Sequence, residues 1–580
     1  MADAKNDDYL SLRNAKDDDA KIKVVVERFQ NSQNARADYE SRWKKSYRLF
    51  RSYRNKAAYP YRSNIMIPMI FSIIMDQIPR MIEALFASEP LIRAIPLDDI
   101  SAENAETVEQ VLTKDFEAAD VAAKTYSWLL SMLVYGTAVI KAPYKFEFDE
   151  DAQEITFDGP SMEVIPVWQF FPDDSANMDT PMRWAIHQVF YSDKDELETS
   201  SVFGAYKNLE DVSTLGELTN ELRAEVLSSI GYASGTMIDN RKIEVLEMYD
   251  FKEKKLIAVA NRMTLIREDA DIFNHSRIIV TRNINDLESF WGIGEPEFQE
   301  SMAHAMNARY NQMMDNASIA NNQGIMYEKG VIMNPNAVIS APGQKLQLET
   351  GGIAKVAPIP FKDINFGESM RVIEDLKNNM RMGSEGTWEL NRPSNKTATE
   401  AGMLHEKALG RIGLKLHTIK EDGFKPLAKT FHEQRLKLIG VGINIMVQDK
   451  DGSATGTPGK YYQKPITAES LAGSFRFVPL GSEVEASKAL QAQKAQMRWE
   501  MFNNDPLTDQ YELRRLTHED LGDGKNIGKL LVKQQPMIPG AAQIAGPGSP
   551  MSPQGQGPSM MRQGPMYPNA DEQMPGVGVG

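Results

Sequence analysis

The feature that most constrains this 580-residue chain lies in its second half, where two helix-patterned segments bracket a turn-rich insert. The first, from about Glu295 to Ala320, follows Gly292 and Gly294 and carries Pro296 in its first turn, where a missing N–H costs nothing. The second covers about Gly367 to Met382. Between them Gly330, Pro335, Pro342-Gly343, Gly351-Gly352, Pro358 and Pro360 punctuate β-type alternation such as VIMNPNAVISA and KLQLET. At ~1.5 Å per residue each helix reaches roughly 25–40 Å. Such a pair projects from a body and carries a small head. The insert is too short for an independent core, so strand addition between neighbouring copies is the natural way to stabilise it.

The rest of the chain reads as a mixed α+β body. Residues 22–58 pattern as a helix with Val25, Phe29, Tyr39, Trp43, Tyr47 and Phe50 on its apolar positions. Its later part is basic: Arg42, Lys44, Lys45, Arg48, Arg51, Arg54 and Lys56. Basic residues interleaved with aromatics fit nucleic acid, and equally a solvated helix face packed by its aromatics. Apolar helical patterns follow at 64–88 and 121–135, with another helix opening near Ser101. Strand alternation begins after Gly136 and recurs over 185–194, 242–283 and 441–480. A long helix spans Thr399 to Ile439, and polar helical stretches cover 483–503 and 507–534.

The net charge of −15 opposes tight gripping of DNA, whose affinity comes from cations on phosphates, and is compatible with a surface past which DNA slides. No cysteine is present, which excludes disulfides and thiolate zinc sites. The opening MADAKNDDYLSLRNAKDDDAK lacks the apolar stretch of a signal peptide. The apolar run Ile65 to Met75 is interrupted by Pro68 and is far shorter than the ~20 residues of a spanning helix. These features predict a soluble protein without membrane contact.

Catalytic signatures are scarce. The nearest approach to a phosphate loop, Gly452 to Tyr461, puts Ala454 and Tyr461 where a glycine and a hydroxyl belong, and reads as a surface loop. The seven histidines show no metal spacing, and no nucleophile elbow occurs. Acidic clusters at Asp98-Asp99, Glu147 to Asp151 and Asp173-Asp174 offer carboxylates without a supporting His or Lys constellation. No cofactor, metal or enzymatic activity is expected.

Several local patterns, taken in order over roughly residues 30 to 500, resemble the portal proteins (head-to-tail connectors) of tailed bacteriophages, podovirus-like ones in particular. They are RSNIMIPMIFSIIMDQIPRMIEALFASEP, TYSWLLSMLVYGTAVIKAPYKF, EVIPVWQFFPDDSA and, most specific, FWGIGEPEFQESMAHAMNARYNQMMDNASIANN, with Gln299, Asn307, Asn311 and Asp315 at helical spacing. The entry NKTATEAG into the long helix is similar too. The resemblance implies a dodecameric ring around an axial channel. Its parts would be a flexible acidic N-terminus (1–21), the N-terminal part of the wing (22–291), stem helix 1 (292–322), a clip (323–366) and stem helix 2 (367–382). A tunnel loop (383–398), the long wing helix with returning strands (399–480), a helical crown (481–535) and a disordered Pro/Gly-rich tail (536–580) would follow.

On that pattern Arg309, Asn311, Arg371, Lys377 and Arg381 belong to the channel and stem. Lys329, Asn334, Asn336, Gln344 and Lys345 belong to a clip that docks the motor and adaptors. Gly383, Gly386 and Pro393 break the helical pattern, and the loop they define carries Trp388, Asn391, Arg392 and Lys396 as DNA-contacting residues. The implied partners are double-stranded DNA bound without sequence preference, the terminase large subunit, the major capsid protein and scaffold, and head-completion adaptor or tail proteins. The implied location is the portal vertex of the virion, after assembly in the host cytoplasm. Two other readings stand beside this one: a metal-dependent DNA-acting enzyme or its regulatory subunit, and a tail structural protein without a DNA channel.

Overall fold

The computed structural model describes residues 17–54, 62–86, 90–149, 154–200, 206–213, 243–321, 324–334, 347–359, 365–385, 411–438, 443–448, 461–479 and 496–502, with a few isolated positions such as Leu12 and Ala15. The class is α+β, as the alternation of periods predicts. Helices α1 (Asp18–Ala35), α2 (Ala37–Phe50) and α3 (Met69–Leu85) come first. Then follow β1 (Ile92–Pro96), α4 (Asp99–Ala118), α5 (Val121–Tyr135), β2 (Thr137–Lys141), β3 (Tyr144–Asp149), β4 (Glu154–Pro160), β5 (Glu163–Ile165), β6 (Phe170–Pro172) and β7 (Trp184–Tyr191). A short α6 (Lys194–Ser200) precedes β8 (Ile243–Asp250), β9 (Lys255–Ala260), β10 (Thr264–Ala270) and β11 (Ile278–Arg282). Next, α7 (Glu295–Asn321) and α8 (Phe366–Glu385) bracket β12 (Ile325–Tyr327) and β13 (Val356–Pro358). Helix α9, over 411–438, contains a π-type turn at Ile419–Phe424. Strands β14 (Ile443–Gln448), β15 (Tyr461–Ile466) and β16 (Phe475–Pro479) follow it.

The largest sheet is an antiparallel five-stranded one ordered β10-β9-β8-β7-β6. Every residue of β8 is buried, because both faces of the sheet are covered. Leu246 and Met248 pack with Val24, Val25 and Phe29 of α1, whereas Ile243 and Val245 face a second cluster with Leu197 and Tyr206. The main core joins α3, α4, α5 and α9 to α7 and α8 through Ala303, Met306, Met313, Ile373 and Met380. Strand β16 returns across more than 370 residues to pair antiparallel with β1, Ile92 opposite Pro479 and Pro96 opposite Phe475. The stretch after the long helix thus rejoins the first body.

Two N-terminal expectations need correction. The predicted continuous helix from residue 22 is broken at Arg36, whose buried guanidinium donates to the carbonyls of Val167 (3.2 Å) and Trp168 (2.8 Å) and to Glu40 (2.8 Å). Tertiary hydrogen bonds fix that side chain and with it the bend. The acidic run 17–19 is not loose: the Asp17 carboxylate accepts from the Ala20 N–H (3.3 Å), and Asp18 and Asp19 fill the first turn of α1, where the helix dipole favours them. Leu12 is buried beside that helix. The tail at 536–580, the stretch resembling a phosphate loop up to residue 460, and most of 481–535 lie outside the described residues.

Candidate functional site

The helix pair α7–α8 and the surfaces at its two ends form the candidate site. Its base begins with glycine. Gly136, at φ +83°, ends α5, and a Cβ there would stand 2.1 Å from the Gly292 carbonyl oxygen. A Cβ on Gly292 would stand 2.4 Å from the Gly136 carbonyl, and one on Gly294 2.5 Å from that of Val134. Backbone lies directly on backbone, so the G-x-G before α7 is a packing requirement. Beside it Trp291 packs edge-on against Trp43 (centroids 4.7 Å apart) and Phe290 (5.0 Å), which anchors α2 to the entrance of the helix pair.

Above the glycines sits a buried polar node. The fully buried Glu295 carboxylate pairs with the Lys415 ammonium of α9 and accepts from Ser384 of α8 (2.7 Å) and from Asn283 (3.2 Å). Lys415 also donates to Gln77 of α3 (2.8 Å), and the Gln299 amide bonds to the Ser384 hydroxyl. Four helices meet through these side chains. One buried charge pair, held by several hydrogen bonds, sets their register.

Further along α7, Asn307, Asn311 and Asp315 grip an extended strap. The backbone N–H groups of Ser63, Ile65 and Ile67 donate to Asp315 (2.6 Å), Asn311 (2.7 Å) and Asn307 (2.8 Å). Asn311 also donates to the Ile65 carbonyl (2.7 Å). The spacing follows from geometry: four helical residues rise ~6 Å and two extended residues ~6.6 Å, so the two repeats stay in phase over three rungs.

The pair then leaves the body. Among the described residues of its head, β12 and β13 pair over three residues, and Ile332 bridges to Leu348 over a small core with Val331 and Gly352. Large apolar side chains nevertheless stand in solvent there, among them Ile319, Met326, Tyr327, Met333, Ile359 and Ile353, the last 82% exposed. Phe366, Met370 and Val372 continue this exposure onto the start of α8.

Placed against this geometry, the predicted residues divide. Arg371 and Arg381 are exposed on α8, and Lys377 is half-buried, 3.9 Å from Glu374. Arg309 is half-buried. Asn311 is buried on the strap, with both ends of its amide committed to Ile65. Lys329 and Asn334 are exposed on the head, whereas Asn336, Gln344 and Lys345 lie outside the described residues. So do Trp388, Asn391, Arg392 and Lys396. The expected loop start is corrected, since Gly383, Ser384 and Glu385 remain helical. Gly383 faces Phe298 of α7, and the Ser384 hydroxyl is used in the polar node; these contacts outweigh the weak helix propensity of glycine.

Other titratable groups serve the body. Burial would raise the Asp173 carboxyl, but Arg183 (2.7 Å) and Ser175 hold it at about 2. Asp98 caps α4 in a reciprocal box with Ser101. Lys141 and Glu247 form a buried pair in which mutual attraction overcomes burial, raising the lysine and lowering the carboxylate. Burial against Phe475 and Phe477 lowers His432 to about 4. Among the described residues no cluster of three or more His, Asp or Glu is placed to hold a metal, and no helix is long and apolar enough to cross a membrane.

No family model and no curated protein matches the chain. Among solved structures, a chain from the neck of an empty GTA particle computed with C6 symmetry aligns over 77% of this chain and 89% of that one, at 10% identity and a TM-score of 0.34. A likeness at that level decides neither fold nor function.

Proposed function

We propose that this chain is a structural, non-catalytic protein of a tailed-phage particle that closes into a ring at the junction of head and tail, and that the ring is a portal. In this reading α7 and α8 are the stem around the genome channel. The segment 323–366 is the clip, to which the terminase large subunit and later the adaptor or tail proteins dock. The wing and the ring's rim meet the major capsid protein and scaffold. Trp388, Asn391, Arg392 and Lys396 touch passing double-stranded DNA through phosphates rather than bases.

The observation that carries the reading is the tip of the helix pair. The described part of the head, with three-residue strands and exposed Met326, Tyr327, Met333 and Ile353, offers apolar surface for a neighbour to cover. A closed ring of identical copies gives every head the same neighbour on each side. The sequence resemblance described above points the same way.

Native mass spectrometry with negative-stain top views of the purified protein tests the proposal. The expected result is a ring of about a dozen subunits with a central hole. A stable monomer at micromolar concentration and high Mg²⁺ overturns the ring. A solid disc or stacked tube favours a tail component, and ATP hydrolysis or metal-dependent nuclease activity by the pure protein overturns the non-catalytic assignment.

A further inference from the structure

The basic stretch of α2 is not absorbed by the stem, the polar node or the head. Its apolar positions, Trp43, Leu49 and Phe50, point inward, and its cations run along the side that faces α7 and solvent. At one end Arg42 meets Glu297 of α7 at 3.3 Å. One turn further on lies a cavity of about 410 Å³ whose lining combines Lys45, Arg48, Tyr53, Arg54, Glu300 and His304 with the apolar Leu49, Met66 and Ala308. Arg48 lies over the Tyr53 ring, 5.9 Å from its centroid. Glu300 is 3.6 Å from His304. Among the described residues, three cations and one carboxylate line the cavity, in a protein whose overall charge is −15.

We propose that this cavity is a phosphate-binding subsite that takes the backbone of a nucleic acid strand lying along α2. Arginine forks and a lysine ammonium suit phosphate oxygens, and a tyrosine ring beside them offers a face for a sugar or base. Arg51, outside the cavity lining, is exposed just past the helix end, so positive charge is not confined to the cavity. That continuity favours a strand with repeated phosphates over a single carboxylate. Binding of this kind reads no sequence and weakens steeply with salt. The inference does not rest on the ring: the subsite belongs to one chain and is expected in any oligomeric state.

The test measures anisotropy of a fluorescein-labelled, mixed-sequence DNA duplex with the full chain across a salt series. Competition with inorganic phosphate and with polyglutamate identifies the chemistry. The expected result is salt-dependent binding that Arg48→Gln/Arg54→Gln weakens by tenfold or more, with the log–log salt slope reduced by about 2. Glu300→Gln is expected to tighten binding several-fold, an effect that a folding defect cannot produce. A double variant with unchanged affinity and slope overturns the proposal. So does displacement of the duplex by polyglutamate at equal charge concentration, which would make this a site for acidic peptide. If thermal shift shows inorganic phosphate protecting the chain while the duplex does not bind, the nucleic-acid source is wrong.

Discussion

The two ends of the α7–α8 pair are built on opposite terms. At the base, the Glu295 carboxylate and the Lys415 ammonium draw partners from other elements, and backbone packs on backbone at Gly136 and Gly292. At the tip, apolar side chains stand in water over strands of three residues. The base is packed within one chain, whereas the described part of the tip leaves large apolar side chains uncovered. A rigid base that aims an unfinished tip suits an assembly element, because the chain fixes the direction in which its neighbours are met. Stability and assembly should therefore separate by position along the pair.

The contrast breaks most severely at the glycines. Gly292→Ala would put a methyl group 2.4 Å from the Gly136 carbonyl oxygen, and Gly136→Ala adds a strained positive φ. Backbone cannot yield there without moving α5 away from α7. A loss of at least ~4 kcal/mol is expected, read as insoluble protein or a collapsed denaturant midpoint. A variant with a wild-type midpoint would show that the contact is looser than described.

Removing one partner of the buried pair comes next. Lys415→Met leaves the Glu295 carboxylate buried without its cation, at a cost of about 3–5 kcal/mol. Lys415→Met combined with Glu295→Gln should cost less than Lys415→Met alone, since the stranded charge is gone. A chemical-denaturation cycle checks this, and simple additivity of the two variants would argue against the pairing.

His432 gives the body a distinct acid response. Its folded pKa, about 4, is below the unfolded ~6.5, so the unfolded chain takes up the proton first as pH falls. Stability is therefore fully present above pH ~6.5 and declines toward pH 4, by ~3 kcal/mol at most. The Asp173 carboxylate, held at about 2, loses its contribution only below pH ~4, in a separate window. His432→Phe should flatten the upper window and leave the lower one. An unchanged profile between pH 6.5 and 4 would mean that another group titrates there.

The strap is worth less. Asn311→Ala removes one acceptor and one donor from the Ile65 backbone, for an expected ~2 kcal/mol, with hydrogen exchange rising at Ile65 first. If exchange at Ile65 is unaffected, the rungs are dispensable.

Much of this architecture can be read from periodicity. The helix after the G-x-G, its Pro296, the strands after Gly136 and the turn-rich head all follow from local chemistry. The Asn307, Asn311 and Asp315 spacing was visible as a pattern, yet its meaning was not, because a polar stripe on a helix looks alike whether it faces water or an extended backbone. Nothing local marked Arg36 and Lys415 as buried, since an Arg36–Glu40 pair one turn apart is equally common on a helix surface. Apart from Glu40, one turn from Arg36, the partners lie more than 100 residues away, and a buried cation in a helical pattern resembles a surface one. Gly383 misled for the complementary reason: helix packing against Phe298 kept a glycine helical where propensity alone ends the helix.

The smallest effect on folding should come from the tip, and it is the most telling. Ile353 is 82% exposed and Met326 48%, so replacing both with Ser removes little intramolecular contact at the first and about half a side chain's worth at the second. Surface changes of this kind fall within about ±0.5 kcal/mol of wild type in chain stability. Assembly should respond differently. If neighbouring heads cover these side chains, each copy loses apolar burial worth roughly 1.5–3 kcal/mol per large side chain, and a ring multiplies that loss around its circumference. The expected outcome is a wild-type denaturation curve under monomeric conditions together with a shift from ring to smaller species in native mass spectrometry. Loss of chain stability would place Ile353 and Met326 in an intramolecular core. Intact rings would leave the tip apolar for a later partner and move the subunit contact toward the body.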